Sequence, residues 1–570
     1  MEDRNGSFKE DMRTFPLWQM TVICFIRFLE PIAFTSLFPY VYFMIRDFHV
    51  VDDVTQISRY SGYLASAFAF SQFLCCVQWG RLSEKIGRKP ILLFGQFGTS
   101  ICMLWFGFSQ SFMAALLART AMGALNGNVA VLRTVIGEIV TVRAQQGIAF
   151  ATVPFFWSVG CFIGPMIGGS KYLTNTGDKI DPGNARNWYE YVLNRYPYSL
   201  SNVFVAVLLW MSIVVGFLFL EESQPRKKNR KDYGLEIGDW IRTKLGYEVP
   251  VRPWQKAKRS HKKKLDNFSQ GQAGGPSTEG TPLLNEGAQR RNDPDVDEEA
   301  DDSSIRSFRG ISQIERNYLR RRFSTQSIGS VVSDMTTADS TISEIPKIDR
   351  HMLTPPVIGT LMASFLVSFQ NLVYSEFLPV FLAAEFKKDH LQFPWLLEGG
   401  FGYSSATIGT LLSSTGFVGM IVVMFIFPFI DRFMRPINSY RVACAIFPLS
   451  YFNLAFLIYT LHGYNEKFPE NLVKILLYIN AGCNSLASGI AFPQINILTH
   501  RSSPTAYKSL VNALALSVNS FARFLSPLIW GTLVSYLDRF ALGQVTWLIL
   551  SFIALFTLVQ AFFMDDYDEG

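Results

Sequence analysis

Charge is scarce in this chain. Of its 570 residues only 17% are Asp, Glu, Lys or Arg, while 49% are hydrophobic and 15% aromatic; a soluble protein carries about a quarter charged residues. Histidine and cysteine are also sparse, with 6 and 7 copies. His49, His261, His351, His390, His462 and His500 all lie at or beyond the ends of the apolar runs, so no buried metal site is expected. Cys24, Cys75, Cys76, Cys102, Cys161, Cys444 and Cys483 fall inside those runs and read as small packing residues, not as a disulfide framework. A catalytic histidine, a cysteine cluster or a metal set at membrane depth is missing, so neither enzymatic activity nor a cofactor is expected. Met1 to Phe15 is mixed-charge and the first apolar segment is too long for an h-region, so no cleavable signal peptide is read here.

What is abundant is long apolar sequence. Tyr60–Trp79, Gly147–Gly169, Ser199–Leu220, Phe401–Ile430, Val442–Leu461, Ile475–Thr499 and Phe540–Met564 each lack Asp, Glu, Lys, Arg and His. A run of about 18 such residues can cross a bilayer as a helix. Twelve spans are predicted: 16–45, 60–79, 90–109, 112–137, 147–169 and 199–220, then 354–384, 404–430, 441–461, 474–499, 507–536 and 540–564. The expected class is an all-α membrane protein with two six-helix halves, at 16–220 and 351–564. The net charge of +6 then concerns loop placement, and nucleic acid is not an expected partner. Loops 2–3 (Arg81, Lys85, Arg88, Lys89), 8–9 (Arg432, Arg435) and 10–11 (Arg501, Lys508) are basic, whereas loop 1–2 carries Asp47, Asp52 and Asp53. By the positive-inside rule the 1–15 tail, the interval 221–350 and the 565–570 tail face the cytosol.

The interval 221–350 mixes basic, Gly/Ser and acidic blocks with few apolar residues, a composition that predicts mostly disorder. A short amphipathic piece around Ile237–Leu245 is expected on the membrane surface. Glu279-Gly-Thr-Pro-Leu283-Leu284 resembles an acidic dileucine sorting signal read by adaptor complexes on lysosomal and vacuolar membrane proteins. Arg321-Arg322-Phe323-Ser324 resembles a basophilic kinase site.

The halves resemble each other. Phe34-Thr-Ser-Leu-Phe-Pro39 in span 1 answers Tyr374-Ser-Glu-Phe-Leu-Pro379 in span 7, and Ser158 to Gly169 in span 5 answers Ser520 to Gly531 in span 11. Such a parallel repeat places a substrate site between the halves of a transporter. Between spans 2 and 3 stands Gly80-Arg-Leu-Ser-Glu84-Lys85-Ile-Gly87-Arg88-Lys89. This segment resembles the loop 2–3 motif of the major facilitator superfamily, G-x-L-x-D-R-x-G-R-K. The two glycines are expected to permit a tight turn, and the charges to form an ion-pair lock in which Glu138 partners Arg88. Gly160-x-x-x-Gly164-Pro165-x-x-Gly168-Gly169 in span 5 resembles the antiporter motif of that superfamily; the alternative is an ordinary zipper of small residues. Arg119-x-x-x-Gly123-x-x-x-Gly127 in span 4 resembles its third motif. More narrowly, the chain resembles the fungal zinc-induced-facilitator-like and tetracycline-exporter branch, without the cysteine signature and His-rich loop that accompany zinc handling in plant members.

Charges inside spans are costly and mark function. Arg27 and Glu30 lie one turn apart in span 1, Glu376 stands in span 7, Arg119 in span 4 and Arg523 in span 11. A carboxyl that gains and loses a cationic neighbour can carry a proton. Glu30 is preferred over Glu376 for that role because Arg27 offers a ready switch; a self-satisfied Arg27–Glu30 pair is the alternative. Gln72, Asn126, Asn128, Gln370, Asn371, Asn480, Asn484, Asn512 and Asn519 are cavity candidates that equally serve as glue between helices. The expected function is secondary active transport of a small molecule or ion by alternating access, as proton antiport driven by a proton gradient. The alternatives are a proton-coupled importer or facilitator and a non-transporting nutrient sensor. The protein is expected to be monomeric, embedded in lipid, in a vacuolar or lysosome-related membrane, with the plasma membrane as alternative.

Overall fold

The computed structural model of the chain describes residues 15–255 and 353–567, apart from positions 51–52, 127–128, 141–142, 178–186, 225–226, 229, 248, 250–251, 253, 395 and 505–507. The dileucine-like segment with Glu279, Leu283 and Leu284, the Ser324 site, Gly127 and Asn128 lie outside the described residues.

The described chain is helical, with only isolated β-bridges between residues 386 and 399, 392 and 396, and 397 and 542. In the first half α1 is Leu17–Thr35, α2 Val41–Asp47, α3 Ile57–Ile86, α4 Arg88–Gly107, α5 Phe112–Leu125, α6 Val129–Ile139, α7 Arg143–Gly168, α8 Trp188–Arg195 and α9 Ser199–Phe219. After it comes α10, Tyr233–Lys244. The second half holds α11 Pro355–Ala383, α12 Ser405–Ile421, a π-turn Val422–Ile426 leading into α13 Phe427–Phe433, α14 Pro436–Leu457, α15 Glu470–Ser502, α16 Lys508–Asp538 and α17 Gly543–Phe562. Among the described residues eight of these helical rods are long and apolar enough to cross a membrane, and the bent segment from 54 to 86 makes a ninth; the apolar helix Phe112–Leu125 and the stretch Pro154–Gly168 are shorter.

Three boundaries depart from the sequence reading. Span 1 is interrupted: α1 ends at Thr35 and α2 starts at Val41, with Pro39 between them. The turn between spans 2 and 3 shrinks to Gly87, whose φ of +122° is a conformation that L side chains rarely adopt. Gly80 lies inside α3 with nothing within 4 Å of where a Cβ would stand, so it makes no turn. The interval after span 6 opens with ordered structure: α10, capped by the Asp232 side chain on the Leu235 amide, precedes Arg252, which binds Asp239 at 2.7 Å.

The halves meet along two helix pairs, α3 with α16 and α7 with α12. These are spans 2 and 11 and spans 5 and 8, which exchange when the halves are exchanged, as a parallel repeat requires. The closest approaches lie toward the end opposite the 2–3 loop. Gly62 abuts Pro527 and Gly531, and Gly169 abuts Ser405 and Gly409. Polar links join the halves at that far end: Thr176 and Ser405 hydroxyls at 3.0 Å and Arg539 to Asp53 at 3.7 Å.

Candidate functional site

Two charged centres emerge, one between the halves and one at the 2–3 loop. In the first, α1 supplies Arg27 and Glu30, which pair through Nη1 and Oε2. The Arg27 guanidinium also lies 5.2 Å from the centroid of the Trp157 ring on α7, and its Nε has no hydrogen-bond partner among the described residues. The α5 helix supplies Arg119, 1% exposed, which stacks 4.6 Å from the Phe68 ring centroid and, among the described residues, donates only to the Met122 sulfur, at 3.3 Å. Arg523 of α16 reaches the same Phe34 ring as Arg119, at 5.8 Å and 6.0 Å. Phe34 therefore lies near two guanidinium groups from opposite halves.

Glu376 of α11 completes this cluster. It is buried, its Oε2 lacks a hydrogen-bond partner among the described residues, and the cations in electrostatic reach are Arg119 and Arg523. Glu376 and Arg119 line one small cavity with Phe38, Ser61, Leu64 and Phe106. Arg523 in turn feels Glu376, Glu30 and Arg27, so five charges on four helices of both halves share one field. An unpaired buried charge is expensive, and two guanidinium groups in electrostatic reach offset only part of that cost. The two carboxyls the sequence singled out are thereby distinguished: Glu30 is satisfied within its own helix, and Glu376 answers to cations on α5 and α16.

Most neutral candidates are tied into packing. The buried Asn126 ends α5, and its carbonyl accepts from Gln72 at 3.2 Å. Asn480 binds Tyr374 and Ser450, Asn519 accepts from Ser364 and Ser368, and Asn371 accepts from Ser488. Gln370 and Asn484 are exceptions: both side-chain amide atoms of Gln370 and the Oδ1 of Asn484 are buried without a hydrogen-bond partner among the described residues.

The antiporter-like motif has a direct packing role. Gly160, Gly164 and Gly168 press against Pro31, Thr35 and Ser36 of the first span, leaving no room for a side chain, while Gly169 faces the other half at Gly409. Pro165 lies within α7, and its carbonyl meets Gly409.

At the 2–3 loop, Arg88 reaches Glu138 at 3.2 Å and also bonds Ser83. Lys89 binds Asp232 at 2.7 Å and the Phe217 carbonyl at 2.8 Å. The Glu222 carboxylate accepts the backbone amides of Arg88 and Lys89 at 2.8 and 3.2 Å, capping the positive end of α4. The expected acid, Glu84, has an exposed side chain without a partner among the described residues, and only its carbonyl is engaged, by Gln224. The Lys85 carbonyl accepts from Lys227. The acids of this centre are thus Glu138, Glu222 and Asp232. Sequence reading missed Glu222, Asp232 and Arg252, although two acids directly at the exit of span 6, ahead of a basic block, were a visible signal.

Comparison with known proteins bears on the family and the fold. The sequence model of the Major Facilitator Superfamily matches residues 23–397. The chain is 30% identical over 563 residues, 98% of its length and 85% of the relative's, to the major facilitator superfamily multidrug transporter mfsB of Aspergillus fumigatus. It is 27% identical to the protein ZINC INDUCED FACILITATOR-LIKE 1 of Arabidopsis thaliana over 40% of this chain and 47% of that one. A crystal structure of a POT family transporter in complex with a thioalcohol-conjugated peptide shares the fold, with a TM-score of 0.53 at 12% identity over 95% of this chain and 94% of that chain.

Proposed function

The chain belongs to the Major Facilitator Superfamily, and from that premise we propose that it is a proton-coupled antiporter of a small organic solute, with Glu376 as the proton carrier. The observation that carries this reading is the buried Glu376 carboxyl, with Arg119 and Arg523 in electrostatic reach and Oε2 without a hydrogen-bond partner among the described residues. A deprotonated Glu376 offers that oxygen to a donor or cationic group of the solute; a protonated one does not. Solute and proton then exclude each other, which is the requirement for antiport. The glycine-proline motif of α7 and the multidrug name of the relative mfsB support the export direction. Arg27 and Glu30 serve as a fixed pair that tunes Arg523, and Asn126 ties the end of α5 to Gln72 of α3.

One observation favours a second reading. Arg523 makes no hydrogen bond or salt bridge among the described residues and shares Phe34 with Arg119. An anionic solute seated on both guanidinium groups would strip Glu376 of its counter-charges, so that a proton would travel with the solute, as in an importer. Proteoliposomes with an imposed pH gradient separate the two: antiport drives solute toward the acidic side, and cotransport away from it.

The location that fits the Glu279–Leu284 signal is a vacuolar or lysosome-related membrane, with both termini and residues 221–350 in the cytosol, where an adaptor complex reaches them. The proton gradient of such a membrane is the proposed driving force, and a monomer the proposed working unit.

A further inference from the structure

The outer flank of the first half carries an apolar groove of about 520 Å³ between α4 and α9, lined by Leu93, Phe94, Phe97, Ile213, Val214 and Phe217 among others. Nothing in the proposed transport cycle uses it. At its 2–3 loop end lies α10. Gly234 packs against the Phe217 carbonyl and Gly238 against the Leu218 carbonyl, so tightly that neither position has room for a side chain. That contact fixes how α10 is rotated.

Two acids of α10 and its cap point into the protein, while Glu236 stays on the outer side and pairs with Lys231 at 3.3 Å. Asp232 binds Lys89, and Asp239 binds Arg252, which also binds Glu221. Tyr233, Ile237 and Trp240 are 68%, 50% and 59% exposed and follow one another at helical spacing, so they form a single outer stripe with Lys244. The Lys231 ammonium stands 4.6 Å from the Tyr233 ring centroid and that of Lys244 4.5 Å from the Trp240 ring centroid. Lys228, Arg230, Lys231 and Lys244 are all exposed. Aromatic rings with basic heads beside them are the chemistry of a helix lying at the headgroup level.

We propose that the α4/α9 groove and α10 together form a binding site for one anionic phospholipid. An acyl chain occupies the groove, the rings of Tyr233 and Trp240 sit at the headgroup boundary, and the phosphate lies among Lys228, Arg230 and Lys231. A zwitterionic lipid fills the groove equally well but adds no net negative charge to Lys228, Arg230 and Lys231, of which Glu236 offsets only one, so selectivity rests on charge.

The test uses the full-length chain in nanodiscs of phosphatidylcholine mixed with phosphatidylglycerol, read by native mass spectrometry after release. The expected result is one retained phosphatidylglycerol, lost in the triple variant Lys228→Ala, Arg230→Ala, Lys231→Ala and in the groove-filling variant Val214→Trp. Equal retention of both lipids, or retention that survives the triple variant, would overturn the proposal. Trp240 provides a second readout that does not need a surviving complex. The fluorescence lost on Trp240→Phe should be quenched by lipids brominated on the acyl chain; quenching by aqueous iodide alone would place the stripe in water and likewise overturn it.

Discussion

Gly169, just past the end of α7, and Gly409 of α12, in opposite halves, meet backbone to backbone: a Cβ added to either would lie 2.9 Å from the α-carbon of the other. No larger residue fits while this end is closed, because both neighbours are backbone, which gives less readily than a side chain. Substituting Gly409→Val is therefore expected to wedge the far end open. Distances between spin labels on the far-end loops of the two halves should lengthen by several ångströms, on the order of a side-chain width. Unchanged distances would mean that the contact is incidental.

The 2–3 loop makes a contrasting pair of variants. Glu222 accepts two backbone amides at the start of α4, whereas the Glu84 side chain has no partner among the described residues. Loss of a helix-terminal acceptor costs about 1 kcal/mol. Glu222→Ala should lower the melting temperature by a few degrees, and Glu84→Ala should leave it unchanged within error. The reverse ranking would return the acidic role to the residue named by the motif.

Much of the fold was legible because a bilayer demands apolar length, and length is read directly from the runs without charge. The break after Thr35 was not legible, since Ser36 to Tyr40 is as apolar as its flanks and only Pro39 marks it. Nor could sequence spacing reveal that Glu222 and Asp232 close on Arg88 and Lys89, because those pairs are separated by more than a hundred residues and formed by tertiary packing. Arg27 and Glu30 were found for the right physical reason, one helical turn, but the same nearness satisfies Glu30 locally. The partners of Glu376 come from α5 and α16, which no periodicity connects.

Acidity should test the far end. Asp53 is held below the usual carboxylate range, first by the Thr55 hydroxyl bonded to it at 2.6 Å. A lowered folded-state pKa contributes stability above the unfolded value of about 4 and loses it as pH falls through the folded one. The stability difference between the wild type and Asp53→Asn should stay constant from pH 8 to about 5 and shrink as pH falls below the unfolded value of about 4. A difference that already collapses near pH 6 would contradict this assignment.

Sorting is tested by Leu283→Ala with Leu284→Ala. The double variant is expected to move from the vacuolar membrane to the cell surface in quantitative imaging. An unchanged distribution would reduce the segment to a chance match.

Glu376 is the centre of the account, and one comparison in proteoliposomes tests it most directly. Glu376→Gln and Glu30→Gln are reconstituted side by side, and uptake of a transported solute is measured with and without an imposed pH gradient. The expected result is that Glu376→Gln abolishes the pH-driven component, by at least about tenfold (equivalent to about 1.4 kcal/mol), while exchange of solute down its own gradient survives. Glu30→Gln should retain pH-driven transport. Full proton-driven transport by Glu376→Gln would contradict the account and return the coupling role to Glu30 or to a group outside the cluster.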